Sequence, residues 1–180
     1  MITKRPRRNR YNEVIRNMVQ ETALELNDFI FPLFIIEGQN QKVEVASMPG
    51  INRYSIDTLL DEVASCVDLG IKAFAPFPSI PENLKDKYAK ESENPEGLFP
   101  RAIREIKKNF PDVVLMTDVA MDPYSSDGHD GIVINGEIVN DETLDVLGKM
   151  ALVQAQAGAD IVGPSDMMDG RVGAIRKALD

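Results

Sequence analysis

A chain of 180 residues, 43% hydrophobic and 27% charged, can bury one substantial core, and its length favours a single domain. No apolar run approaches the roughly 18 uncharged residues of a membrane span, the opening residues lack the apolar stretch of a secretory signal, and a lone cysteine excludes both an internal disulfide and a structural zinc site built on several thiolates. The formal charge of −9 argues against a nucleic-acid partner, so the expectation is a soluble, cytoplasmic globular protein in which Cys66 is a small buried hydrophobe.

In chain order, the first feature is a basic tip. Lys4, Arg5, Arg7, Arg8 and Arg10 are five of the 20 basic residues, so the remaining 170 positions carry 15 basic against 29 acidic groups. An acidic body repels a phosphate backbone and no interleaved aromatic platform follows, so an arm docking on an acidic neighbouring subunit is a better reading than nucleic acid or an organellar address. A short helical piece is predicted near Asn12 to Ala23, and residues 1–28 are taken as this arm. "FIFPLFII" (Phe29 to Ile36) reads as a strand with Pro32 at a bulge or edge. Ser55 is then a plausible N-cap for a helix with Ile56, Leu59, Leu60, Val63 and Val67 at helical spacing and Gly70 as its stop. "IKAFAPF" (Ile71 to Phe77) is a second strand, and Gly97 to Phe110 a helix whose Pro100 fits the first turn. Asp112 to Asp118 is a third strand, a helix runs from about Glu142 to Ala157, Ala159 to Ser165 is a fourth strand, and Arg171 to Leu179 is the last helix.

Four short apolar strands, each followed by a helix, imply an α/β class with parallel pairing and right-handed crossovers. An open doubly wound sheet and part of an eight-fold barrel both fit, and neither a GxGxxG nor a GxxxxGK[ST] phosphate motif is present. In either case chemistry belongs at the carboxyl ends of the strands, here Pro76 to Pro78, Thr117 to Asp118 and Pro164 to Asp166.

One of those ends opens the loop "TDVAMDPYSSDGHDG" (Thr117 to Gly131), which gathers four aspartates, two serines, a tyrosine, two glycines and the only histidine. Its carboxylates suit Mg²⁺, which takes oxygen ligands, or the ammonium group of a substrate. A solvated turn has the same composition, since Asp, Ser and Gly are what turns use. The calcium loop of an EF-hand fails for want of alternate acids and a closing glutamate. The single His129 cannot make a His-pair zinc site and is expected to be a hydrogen-bonded loop residue. A second polar group, Ser165, Asp166 and Asp169, ends the fourth strand; Asp169 is the expected N-cap of the last helix, and Met167 and Met168 are expected to pack.

Over essentially all of its length the chain resembles the porphobilinogen synthase (aminolaevulinate dehydratase) family, through "RPRRNR", "FIFPLFIIEG", "SMPGINRYS", "LGIKAFAPFP", "TDVAMDPYSSDGHDGIV" and "AGADIVGPSDMMDGRVGAIRKAL". The resemblance implies the first four βα units of a TIM (β/α)8 barrel over residues 29–180, preceded by the N-terminal arm. It also implies a homo-octamer assembled through that arm. The implied reaction condenses two aminolaevulinate molecules to porphobilinogen on the route to haem and other tetrapyrroles. It makes Asp118 and Ser165 active-site groups that contact substrate. Zinc-dependent members carry cysteines at the positions of Ala120, Asp122 and Asp130; with those thiolates absent, Asp122 and Asp130 are implied active-site or metal-loop residues, with Mg²⁺ or a monovalent cation rather than zinc. The two Schiff-base lysines of the family lie on later strands beyond Asp180, and Lys177 is expected on a solvated helix face. The 180 residues by themselves are therefore expected to be inactive. The alternative is a stand-alone, non-catalytic half-barrel that acts by subunit association.

Overall fold

The computed structural model describes residues 2–180. Its strands are β1 (Phe31–Ile35), β2 (Lys42–Glu44), β3 (Asn52–Tyr54), β4 (Ala73–Pro78), β5 (Val114–Val119), β6 (Ile132–Ile134), β7 (Glu137–Val139) and β8 (Ile161–Pro164). The α-helices are α1 (Glu13–Met18), α2 (Ile56–Asp68), α3 (Leu98–Asn109), α4 (Asn140–Ala157) and α5 (Arg171–Leu179).

Six strands form one sheet in the order β2-β3-β1-β4-β5-β8, and β6 pairs with β7 separately. The four strands expected from the sequence, β1, β4, β5 and β8, are successive parallel neighbours. Each is followed by one of the helices α2 to α5. Strand order therefore advances without the reversal that makes a switch point in a doubly wound sheet, which settles the open choice in favour of part of a barrel.

Pairing and burial agree on which side faces what. Leu33, Ile35, Phe74, Leu115, Thr117 and Val119 are buried. They alternate with Pro32, Phe34, Val114, Met116 and Asp118, which stay partly open to solvent. Alternate side chains on a strand point to opposite faces, so the first set lies under the helices and the second lines the opposite, open face. There the Phe34 and Phe77 rings lie 5.9 Å apart between centroids. The buried layer meets Leu59 and Val63 of α2, Phe99, Ile103 and Ile106 of α3, and Leu147 and Met150 of α4. Cys66 is buried among them, as expected of a small hydrophobe.

Several local expectations need correction. Ser55 holds the N-cap position of α2 in extended conformation, but makes no capping bond. Its hydroxyl accepts from the Gln41 N–H at 2.9 Å and donates to the Asp57 carboxylate, so it ties the β2 segment to the helix start instead. The N-cap of α5 is Gly170, with φ +79, not Asp169. Asn140 holds the Asp169 peptide from both sides, accepting its N–H at 2.7 Å and donating to its carbonyl at 3.1 Å. That grip leaves the chain to turn at the next residue, where glycine tolerates the left-handed conformation. Pro32 pairs with Ala75 in regular register rather than at a bulge; the β1–β3 pairing begins only at Phe34, so Pro32 has one strand neighbour. The pairs β2–β3 and β6–β7 were not expected at all. The first is mostly polar and three residues per strand, too short for an alternation signal. The second turns on Asn135-Gly136, both at positive φ, the strongest short hairpin signal a sequence offers. Among the described residues no helix is long and apolar enough to cross a membrane.

Candidate active site

The carboxyl ends of β5 and β8 bring the two polar constellations together. Asp118 and Gly163 are register partners, so the residues that follow, Val119 to Gly131 and Pro164 to Gly170, leave the sheet side by side. Ser165 Oγ donates to Asp118 Oδ1 at 2.6 Å. Two residues 47 apart in sequence thus form one unit at the strand ends, as a site built on rigid elements requires.

Asp118 is held from behind by a residue that the sequence reading passed over. Gln154 of α4 is 1% exposed. Its Nε2 donates to the Asp118 carbonyl at 2.8 Å. Its Oε1 is buried without a hydrogen-bond partner among the described residues. The signal was available: Gln154 stands on the buried face of α4 with Leu147, Met150, Ala151 and Ala157, where an amide must have a partner to satisfy.

The loop after β5 is anchored at its base, while Asp122, Ser126, Asp127 and Gly128 are exposed. Met121 is fully buried, and the amides of Tyr124 and Ser125 both donate to its carbonyl at 2.9 and 2.8 Å. Asp86 accepts from the Ser126 N–H and donates its own N–H to the Tyr124 carbonyl, each at 3.2 Å, which ties the loop to the segment after β4. Ala120 is buried at the base, Asp122 is exposed, and Asp130 is half-buried at the far end. His129 does not behave as the expected hydrogen-bonded residue: its Nδ1 is buried with no partner among the described residues.

The Asp118 and Asp122 carboxyls both have raised proton affinity. Desolvation pushes the Asp118 carboxyl above the ordinary range, the Ser165 hydroxyl opposes this, and the Asp130 charge adds to it. Asp122 is also raised, by desolvation first and then by the charges of Asp130 and Asp118. Like charges on a partly desolvated site favour a shared proton or a bound cation. Among the described residues no group of three or more His, Cys, Asp or Glu side chains is placed to hold a metal ion. Ser165 is exposed, whereas Asp166, the next residue, is buried and paired with Arg171 of α5. Lys177 is exposed on α5, as expected.

Comparison with known proteins is consistent along the whole chain. A sequence profile of the family described as delta-aminolevulinic acid dehydratase matches residues 3–180. The chloroplastic delta-aminolevulinic acid dehydratase of Selaginella martensii is 55% identical over 181 residues, covering 99% of this chain and 43% of that protein. The delta-aminolevulinic acid dehydratase of Chlamydia pneumoniae is 48% identical over 179 residues, covering 99% of this chain and 54% of that protein. The crystal structure of delta-aminolevulinic acid dehydratase (porphobilinogen synthase) from Toxoplasma gondii ME49, in complex with the reaction product porphobilinogen, superposes with a TM-score of 0.97 at 52% identity. It is covered over 99% of this chain and 51% of its own. The chain spans about half the length of the relatives it matches. With a family profile matched over nearly every residue and identities near one half, the chain belongs to the delta-aminolevulinic acid dehydratase family.

Proposed function

We propose that this chain supplies the amino-terminal half of a porphobilinogen synthase, with residues 1–28 as its arm and 29–180 as the first four units of the barrel. In this reading it contributes one wall of the site where two aminolaevulinate molecules condense. The observation that carries it is the Ser165–Asp118 hydrogen bond, set at the strand ends. Asp118 faces the open side of the sheet with Oδ1 engaged by Ser165, which leaves Oδ2 to accept a substrate ammonium. The approach of that cation offsets the raised proton affinity and turns Asp118 into a carboxylate able to take a proton from the amine. Ser165 serves either state of its partner, since a hydroxyl donates to a carboxylate and accepts from a carboxylic acid.

Asp122 and Asp130 present hard oxygen donors and no thiolate. Such a pair fits a largely hydrated Mg²⁺, commonly held through one or two carboxylates, or a monovalent cation, and does not fit zinc. A cation there would neutralise the loop beside the substrate. The arm leaves Tyr11, Val14, Met18 and Leu24 exposed, which supports its docking on a second copy in a homo-oligomer, an octamer by family resemblance. We place the protein in the cytoplasm, with its bacterial relatives as precedent.

The test joins these 180 residues to the carboxy-terminal half of the Toxoplasma gondii relative and assays porphobilinogen. The chimera is expected to form product, and Asp118→Asn to lower kcat by about 100-fold, the usual contribution of one positioned acid–base group. The 180 residues alone are expected to form none, and borohydride with aminolaevulinate to trap no lysine adduct on them. A folded chimera with no activity, or specific trapping on Lys177, overturns the proposal.

A further inference from the structure

We propose that Asp166 and Arg171 are positioning residues: they grip the Met168 peptide from both sides, seat Gly131 against the Met168 side chain, and so hold Asp130 beside Asp118 and Asp122. The purpose assigned to that placement rests on the functional reading above; the placement does not. Asp166 Oδ1 accepts the Met168 N–H at 2.7 Å, and Arg171 Nη1 donates to the Met168 carbonyl at 3.0 Å. Arg171 Nε lies 3.3 Å from Asp166 Oδ2, an electrostatic pairing without hydrogen-bond geometry among the described residues, so the two side chains flank the Met168 backbone. The Asp166 carboxylate is fully buried. A buried carboxylate is tolerated only when paired and costs stability against an apolar residue of similar size, so its presence calls for a role beyond packing.

The grip reaches the neighbouring loop through one contact. A Cβ built on Gly131 would lie 2.9 Å from the Met168 terminal methyl and 2.7 Å from Ile138 Cγ2, so a side chain there would push the Met168 tip out of its present position over the chain. On the far side the Ile132 N–H donates to Thr143 Oγ1 at 3.1 Å, which fixes the chain leaving the loop. Asp130 therefore sits directly before a peptide wedged between Met168 and α4. The reach of its charge to Asp118, Asp122 and Asp166 agrees with that placement.

Amide spectra of the 180-residue chain test the coupling. Asp166→Ala and Arg171→Ala are expected to shift and broaden the Asp130 and Gly131 amides, with Leu33 and Leu115 in the sheet unchanged. Asp166→Asn, which keeps an acceptor for the Met168 N–H, restores part of the signal. Unmoved Asp130 and Gly131 amides in folded variants overturn the proposal. Should the alanine variants not fold, Gly131→Ala approaches from the other side: it is expected to displace the Met168 tip and move the Met168 and Arg171 amides, and silence there overturns the proposal equally. In the chimera, Asp166→Asn should raise KM for aminolaevulinate more than it lowers kcat, and should add nothing once Asp130→Asn is present. Additive effects of the two changes count against positioning. An inactive wild-type chimera would instead sink the functional reading and leave the amide test to decide the placement.

Discussion

Asp122 shows how a single side chain reports the site. Its carboxyl is raised by desolvation and by the charges of Asp130 and Asp118, so the folded chain holds a proton that the unfolded chain releases. Stability is then full below the ordinary aspartate value of about 3.9 and falls as pH rises through the higher folded value, and the loss persists at neutral pH. Asp122 is exposed, so solvent screening keeps the effect small, and Asp122→Asn is expected to melt above the parent at pH 7 by no more than about 1 °C. The two melting curves should converge near pH 3, where both side chains are neutral. A lower melting temperature for the variant at pH 7 would mean that the carboxylate is stabilised there, as by a bound cation. That Asp118 and Ser165 end neighbouring strands was legible because two long motifs carried them, and the structure joins them by a hydrogen bond. Gln154 and the Asp166–Arg171 pair were not, since their roles depend on which residues lie behind the strand ends, and only the packed structure brings those together.

At the scale of elements, end signals served where the backbone demanded them and failed where a side chain had another partner. Gly70 closes α2 with two bonds, its own N–H to the Val67 carbonyl at 2.9 Å and the Ile71 N–H to the Cys66 carbonyl at 3.0 Å. This pairing needs a left-handed residue, and Gly70 has φ +94. The site also touches the arm, since a Cβ there would lie 2.8 Å from Leu26 Cδ1. Gly70→Ala is therefore expected to cost about 1–2 kcal/mol in urea unfolding, whereas an unchanged midpoint would show that the helix end relaxes freely. Ser55 and Asp169 carried equally good cap signals and make no capping bond: the Ser55 hydroxyl accepts from Gln41 instead, and Asn140 holds the Asp169 backbone so that Gly170, not Asp169, takes the N-cap position. At the opposite end of the sheet, Lys107 of α3 joins the Val113 carbonyl at 2.8 Å to Asp160 at 3.1 Å, and Asp160 accepts the Leu115 N–H at 2.8 Å. Lys107→Met should lose about 1–2 kcal/mol, and far less in an Asp160→Asn background, because the two share one network.

Among the described residues the sheet has one covered face and two end strands, β2 and β8, each with a neighbour on one side only. At the β8 edge Ile161 is exposed at 44%, on the same face as Met116 and Asp118. A groove of about 370 Å³ beside it is lined by Ala155, Val162, Val172, Ile175 and Leu179. An unpaired parallel edge next to a groove that Asp160 and Arg176 also line is a template for another chain. The matched relatives are about twice as long as this chain, and on the function proposed above a further βα unit belongs at this edge. The 180-residue chain by itself is therefore expected to self-associate, with sedimentation velocity showing a weight-average mass that rises with concentration. Val162→Lys together with Ile161→Lys places charge on both faces of the edge strand and should shift the distribution toward monomer without lowering helix content. Deleting residues 2–24 removes the exposed apolar side chains of the arm but leaves the edge untouched, so it should weaken assembly without abolishing it. A compact monomer at every concentration, with a cooperative melt independent of concentration, would show that the open face needs no partner and would count against the half-barrel reading itself.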